Sequence, residues 1–305
     1  MERRKAQMPR GLRCALLGAM LLLGKAAAAS SPSPTHEEHW QSETPQVFVE
    51  GARLHYYGKL NDVGAERLRE ALAGESNLRE LHIASPGGDV LASISIGEQI
   101  QAHDLTVVVV GVGCASGCAN YVFTPARRRV ISPGSLVLWH YSCPERFPAR
   151  RRQIARTLRQ QFSKPGFAYS AEEDGHPIQD PVRLQENFEQ NLDRLVDAHL
   201  AFVTAYRAGH NHIFASTGID PSIICMADHV RLPKVPDHHI AFFYTLSQED
   251  MARFGVCDVE MRPDYAEWAA RKVAEHEELR EYAGVLQLSR FPRFQPRPSR
   301  PCSTG

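Results

Sequence analysis

No apolar run here is long enough to cross a bilayer as a helix. The stretch 14–24 has 11 residues, against the about 20 that a spanning helix needs, and composition is that of an ordinary globular chain, 43% hydrophobic and 23% charged. A multi-span membrane protein, a collagen and a largely disordered chain are thereby excluded. Charge of either sign is also missing in excess: 35 Lys and Arg face 35 Asp and Glu. Electrostatics therefore give no case for nucleic acid as a partner. Strict metal-ligand patterns such as H-E-x-x-H are absent, and no cysteine spacing is that of a zinc site. No repeat recurs along the chain. Lysine is scarce between 46 and 260, where only Lys59, Lys164 and Lys234 occur. None of the three stands where a strand or helix would aim it at a nucleophile.

What is present begins with the N-terminus. Arg3, Arg4, Lys5, Arg10 and Arg13 precede the apolar run, and Lys25 and Ala26 to Ala29 follow it. Basic, apolar and small-residue segments in that order read as a secretory signal over 1–29. This implies an exported, periplasmic protein, or one held at the membrane if the signal stays uncleaved. Removing 1–29 takes away six bases and one acid, which leaves a net charge of −5. Six cysteines remain, Cys114, Cys118, Cys143, Cys225, Cys257 and Cys302. An even number in an oxidising compartment permits disulfides in any of 15 pairings. Unpaired buried thiols are the alternative.

Residues 30–45 are polar and Pro-rich, a linker. The run 46–57 reads as strand with Gly51 at a turn or bulge. Asn61 caps a helix whose stripe is Ala65, Leu68 and Leu72. A short buried strand follows at 81–84. It ends at Ser85-Pro86-Gly87-Gly88, after which Val90, Leu91, Ile94, Gly97 and Ile100 recur at helical spacing. The β-branched run 105–112 reads as a strand buried on both faces, as in parallel sheets. Another strand, 136–139, delivers His140. This alternation is that of an α/β layer fold. Helical composition dominates later, at 149–162, 181–208 and 247–254, where Ser247 and Asp250 form a capping-box-like pair. A longer helix is expected within 261–288. The tail 289–305 has four Arg, four Pro and no apolar period, the composition of a disordered segment.

The chemistry centres on Cys114-Ala115-Ser116-Gly117-Cys118. A serine hydroxyl needs a base and an exposed position before it is a nucleophile. A tight turn onto a helix start supplies exposure, and its outward amides favour developing negative charge. The bland alternative is an N-cap serine. The glycines of Ser85-Pro86-Gly87-Gly88-Asp89 allow a backbone to approach a bound group, or simply make a strand-to-helix turn. His140, 24 residues after Ser116, is the candidate base. His210 with His212, and His238 with His239 near Cys225, are read as surface or loop histidines, although imidazole pairs do bind zinc. The triplets 127–129 and 150–152 of arginine are read as solvated faces.

Taken together, Ser85-Pro86-Gly87-Gly88, then Ala115-Ser116-Gly117, then Trp139-His140 resemble the core of the ClpP/crotonase superfamily, in particular exported ClpP-like relatives of the ClpP serine peptidases. The resemblance covers roughly a fifth of the chain. It implies a fold of repeated β-β-α layers over 46–260 with a helical C-terminal part, 141–180 being an insertion beside the site. It implies Ser116 as nucleophile, His140 as base, and the amides of Gly88 and Gly117 as an oxyanion hole, with Gly87 and Pro86 against the substrate. Whether Gly87 or Gly88 presents the donor stays open. In the family an acid completes the triad ahead of a closing helix that 247–258 resembles. Asp237 is the first choice here, Asp228 the second and Asp193 the third. Related signal-peptide peptidases use a serine–lysine dyad, which the scarcity of lysine disfavours. Cys114 and Cys118 either pair across the nucleophile turn or fill it as small buried groups. The function implied is a serine hydrolase acting on a peptide or protein substrate without a cofactor. Outside the cytoplasm it would have no ATPase partner. The alternatives are a non-catalytic scaffold that binds a peptide in the same cleft and a crotonase-type acyl-CoA enzyme. Family members often assemble into rings or stacks, which admits a homo-oligomer.

Overall fold

The computed structural model describes residues 36–140, 142–164, 169–173, 176–232, 242–280 and 283–302. The chain divides into Met1–Ser33 and Pro34–Gly305. The proposed signal lies outside the described residues, and the fold is that of the second unit. No helix among the described residues is long and apolar enough to cross a membrane.

A short helix α1 (His36–His39) leads into β1 (Gln46–Glu50) and β2 (Arg53–Tyr57). Gly51, at φ +62°, lets the run at 46–57 fold back as an antiparallel pair. Helix α2 (Asp62–Gly74) is capped as the sequence implies, Asn61 Oδ1 accepting from the Gly64 N–H, and it buries Ala65, Leu68 and Leu72. Then come β3 (Glu80–Ser85), α3 (Val90–Ala102) and β4 (Thr106–Ala115). Asp89 caps α3 by accepting from the Ala92 N–H at 2.8 Å. Strands β2, β3 and β4 are parallel, and Leu54, Leu81, Ile83, Val107 and Val109 are buried in one core with α2 and α3.

Strand β4 positions the site because, on the edge away from β3, it serves two neighbours. Its first half, 106–109, pairs with β5 (Arg128–Ile131). Its second half, 113–115, pairs with β6 (Leu136–His140). Gly111 (φ +58°), between these halves, and Gly113 (φ +140°), at the start of the second, interrupt the regular strand, where bulge geometry re-aims a chain. The end of β4 therefore runs beside the end of β6, with Ser116 directly past the one and His140 at the end of the other.

Helices α4 (Arg151–Phe162) and α5 (Pro181–Thr217) flank a two-stranded hairpin of β7 (Glu172–Glu173) and β8 (His176–Pro177). The first half of α5 packs on α4 around a separate core of Ile154, Phe188, Leu192 and Val196. The second half joins the main core through Tyr206, Ile213 and Phe214. The arm thus extends past residue 180, where the insertion was expected to end.

The C-terminal part departs further from expectation. After β9 (Phe243–Thr245), α6 (Gln248–Arg253) and β10 (Val259–Glu260), the region 261–288 is not one helix. It is α7 (Tyr265–Glu275), α8 (Glu277–Arg280) and a strand, β11 (Ala283–Val285). His276 is extended between the helices (ψ 108°), and β11 pairs in parallel with β9. The sheet therefore passes the expected boundary at 260. The tail also packs up to residue 302. Phe294 lies 6.0 Å from the Phe254 ring and 5.0 Å from His229, the Ser299 N–H donates to Gly218 O at 2.8 Å, and Cys302 is bonded to Cys257. Two aromatic anchors and a covalent tie outweigh a composition that alone cannot bury enough surface. Likewise the expected linker 30–45 joins the fold at its end, where Trp40 packs on the core.

A buried polar network crosses from the core to α5. Tyr121 OH bonds Tyr206 OH at 3.0 Å and His210 Nδ1 at 3.2 Å, and Tyr206 OH donates to Ser142 O at 2.7 Å. Burial pulls the His210 pKa down to about 4, with Glu145 opposing. An unfolded histidine binds its proton near 6.5, so the unfolded chain binds more protons between these values. Stability is then expected to fall as pH drops from about 6.5 to 4, by about 3 kcal/mol from this group. Urea melts across that range check it, with His210→Phe flattening the slope.

Candidate active site

Ser116 sits directly past β4 in the left-handed region, at φ +56°, a conformation that costs a residue with a Cβ about 1–2 kcal/mol. Three ties hold it there. Its N–H donates to Leu138 O at 2.9 Å, its carbonyl accepts from the Asn120 N–H at 2.8 Å, and a disulfide joins Cys114 to Cys118 around it, Cα to Cα 5.3 Å. The following residues form a wide π-type turn, Cys118–Phe123. Such turns inside helices are frequent at functional sites.

The hydroxyl of Ser116 lies 2.7 Å from His140 Nε2. Both residues are partly exposed while their chain neighbours Ala115, Gly117 and Trp139 are buried. His140 is set by the pairing of β6 with β9, where it stands opposite Phe243, the rings 5.0 Å apart. The arrangement is a nucleophile–base pair within hydrogen-bond reach.

The glycine loop lies against the same turn. Gly87 has φ +96°, and a Cβ on it would fall 2.5 Å from Ser116 Cβ. Its N–H is engaged by Ser85 Oγ at 3.1 Å. The Gly88 N–H and the Gly117 N–H, by contrast, donate to no acceptor among the described residues. A Cβ on Gly117 would lie 3.9 Å from Gly88 N, so the two amides stand close together beside Ser116. This distinguishes Gly88 from Gly87 as a donor, which the sequence leaves open. The loop is pinned by Leu60, whose N–H donates to Gly87 O and whose carbonyl accepts from the Asp89 N–H, both at 2.8 Å. Pro86 is half-buried at the start of the loop.

The acids are distributed otherwise. Asp237 lies outside the described residues, as do His238 and His239. Asp228 accepts from Arg146 Nε at 2.6 Å. Asp193 is on α5, its side chain 95% exposed and paired with Arg151 at 3.1 Å, which places it on the arm and not beside His140. Lys59 is paired with Glu43, and Lys234 is outside the described residues. His210 is buried in its tyrosine network while His212 is exposed. Cys225 is bonded to Cys143.

One arginine triplet corrects the sequence reading. Arg129 is not on a solvated face: it is 4% exposed and donates to the carbonyls of Phe123, Thr124 and Cys257. Burial lowers its pKa to about 9. It ties the end of the π turn to the C-terminal disulfide. A cavity of about 650 Å³ lined by Arg129, Ser216, Cys257 and Arg300 lies on that side and includes none of Ser116, His140 or Gly88.

Asn120 was missed in the sequence. It is fully buried, and its Nδ2 donates to His140 O at 3.3 Å. The available signal was a lone amide inside the otherwise unbroken small and apolar run Cys118-Ala119-Asn120-Tyr121-Val122-Phe123.

Residues 62–145 match the Clp protease family. The matched Clp-type segment contains the glycine loop, Ser116 and His140. No curated protein matches the chain. Among solved structures it is similar to a point mutant of ClpP1 from Listeria monocytogenes, at 17% identity over 69% of this chain and 91% of that one. The TM-score is 0.35, too low to bear on the fold. The segment that matches the Clp protease family carries part of a mixed α/β core.

Proposed function

We propose that the protein is a serine hydrolase that cleaves a peptide or other acyl bond through an acyl-enzyme, acting on a peptide or protein substrate outside the cytoplasm and without ATP. The observation that carries this is the 2.7 Å contact between Ser116 Oγ and His140 Nε2. Nε2 takes the hydroxyl proton as Oγ attacks the substrate carbonyl, and the resulting oxyanion accepts from the Gly88 and Gly117 N–H groups. Collapse expels the leaving group, which receives the proton from His140. Water then attacks the ester, giving its proton to His140, and Ser116 recovers it as the acid departs. Asp237 is the proposed orienter of His140. Three disulfides and the signal-like N-terminus support an oxidising compartment, which has no ATP to drive an unfoldase. Substrates are therefore short or already extended.

A fluorophosphonate probe tests the reading. The purified full chain is expected to gain one adduct, mapped by peptide mass spectrometry to Ser116. A folded protein that is never labelled and is inert toward peptide and ester panels sinks it, and leaves a cleft that only binds.

A further inference from the structure

Asn120 makes two bonds that no other residue among those described combines. Its backbone N–H donates to the carbonyl of Ser116 at 2.8 Å, and its side-chain Nδ2 donates to the carbonyl of His140 at 3.3 Å. The reverse amide orientation would set two oxygens face to face, so the assignment follows from the chemistry. Apart from the contact of Ser116 Oγ with His140 Nε2 itself, the other ties between β6 and the turn hold at most one member of the pair. Trp139 Nε1 donates to Thr124 Oγ1 at 2.9 Å, and the Ser116 N–H to Leu138 O. Asn120 alone among the described residues links the carbonyls of Ser116 and His140 through one residue.

It does so in a place that stability alone does not favour. Asn120 is 0% exposed, and its Oδ1 has no hydrogen-bond partner among the described residues. A buried acceptor left unpaired costs stability, whereas an apolar side chain of similar shape would not carry that cost.

We propose that Asn120 is a positioning residue, one that sets the register between Ser116 and His140 and so the distance over which the proton moves. The inference rests on the hydrolase reading. A displacement of about 1 Å at such a pair costs on the order of 100-fold in rate, although substrate contacts are untouched.

The test compares Asn120→Asp, which keeps the shape but replaces the amide NH₂ with a carboxyl oxygen that donates only when protonated, with Asn120→Leu, which removes both polar atoms. Each is assayed for Ser116 labelling by a fluorophosphonate, for kcat and KM, and for its melting temperature, alone and with His140→Ala. The expected result is labelling and kcat lowered about 100-fold with KM nearly unchanged. In the His140→Ala background the same substitutions should cost nothing further, because Asn120 acts through the imidazole. A merely structural role would instead lower melting temperature, kcat and labelling together, in either background. Folded variants labelled at the wild-type rate overturn the inference and leave the hydrolase reading standing. So does an equal loss with and without His140. A wild-type protein never labelled at Ser116 overturns both.

Discussion

Ser116→Ala is expected to remove turnover by about 10⁴-fold or more and to abolish fluorophosphonate labelling. The hydroxyl of Ser116 lies 2.7 Å from His140 Nε2, and the proposed ester intermediate needs it. On the proposed mechanism, whatever rate survives comes from the amides of Gly88 and Gly117 and from binding. The stability effects separate the roles of the residue. Replacement by alanine or by glycine loses the same hydroxyl bond, but only alanine keeps a Cβ at φ +56°. Ser116→Gly is therefore expected to be more stable than Ser116→Ala by about 1 kcal/mol in urea melts, while equally inactive. A strained residue that is more stable when its function is removed is the usual signature of an active-site position. Two outcomes would count against this account: substantial turnover by the alanine variant, or an alanine variant more stable than the glycine one.

The core of the fold was legible because its signals are local. Periodicity marked Ala65, Leu68 and Leu72 as one face of α2, and the β-branched run marked β4 as a buried strand. The order of the glycine loop, Ser116 and His140 pointed to a site, and the contact between Ser116 and His140 follows from pairing the ends of β4 and β6. What was illegible depended on partners far along the chain. Nothing near 283–285 announces a strand, since its reason is β9, forty residues earlier. The tail reads as disordered because its anchors, Cys257, Phe254 and Gly218, are outside it. Arg129 reads as surface because its acceptors are backbone carbonyls, which leave no mark in a sequence. Asn120 was overlooked for the same reason, both its acceptors being main-chain oxygens. The choice of Gly88 over Gly87 required knowing that Ser85 Oγ already occupies the Gly87 N–H.

The second large effect concerns the disulfides, and there stability and activity are expected to come apart. On the chain-entropy account a cross-link stabilises in proportion to the logarithm of the loop it closes. Cys143–Cys225 spans 82 residues, so replacing both by alanine is expected to cost about 4–5 kcal/mol, and Cys257–Cys302, spanning 45, about 4 kcal/mol. Cys114–Cys118 spans only 4 and is worth about 2 kcal/mol on the same scale. Yet this small loop is the one that encloses Ser116. Without it, the backbone of the left-handed turn keeps the Leu138 and Asn120 hydrogen bonds, of about 1 kcal/mol each, against a strain of similar size. The Cys114→Ala/Cys118→Ala protein is therefore expected to melt nearest to wild type of the three pair variants and to be the slowest labelled at Ser116. The Cys257→Ala/Cys302→Ala protein should melt far lower but, while folded, keep most of its labelling rate. Melting temperature and labelling rate measured on the same preparations decide it. If the two fall in step across the three variants, the bridge at 114–118 is an ordinary staple and the geometry of Ser116 is fixed by the sheet alone.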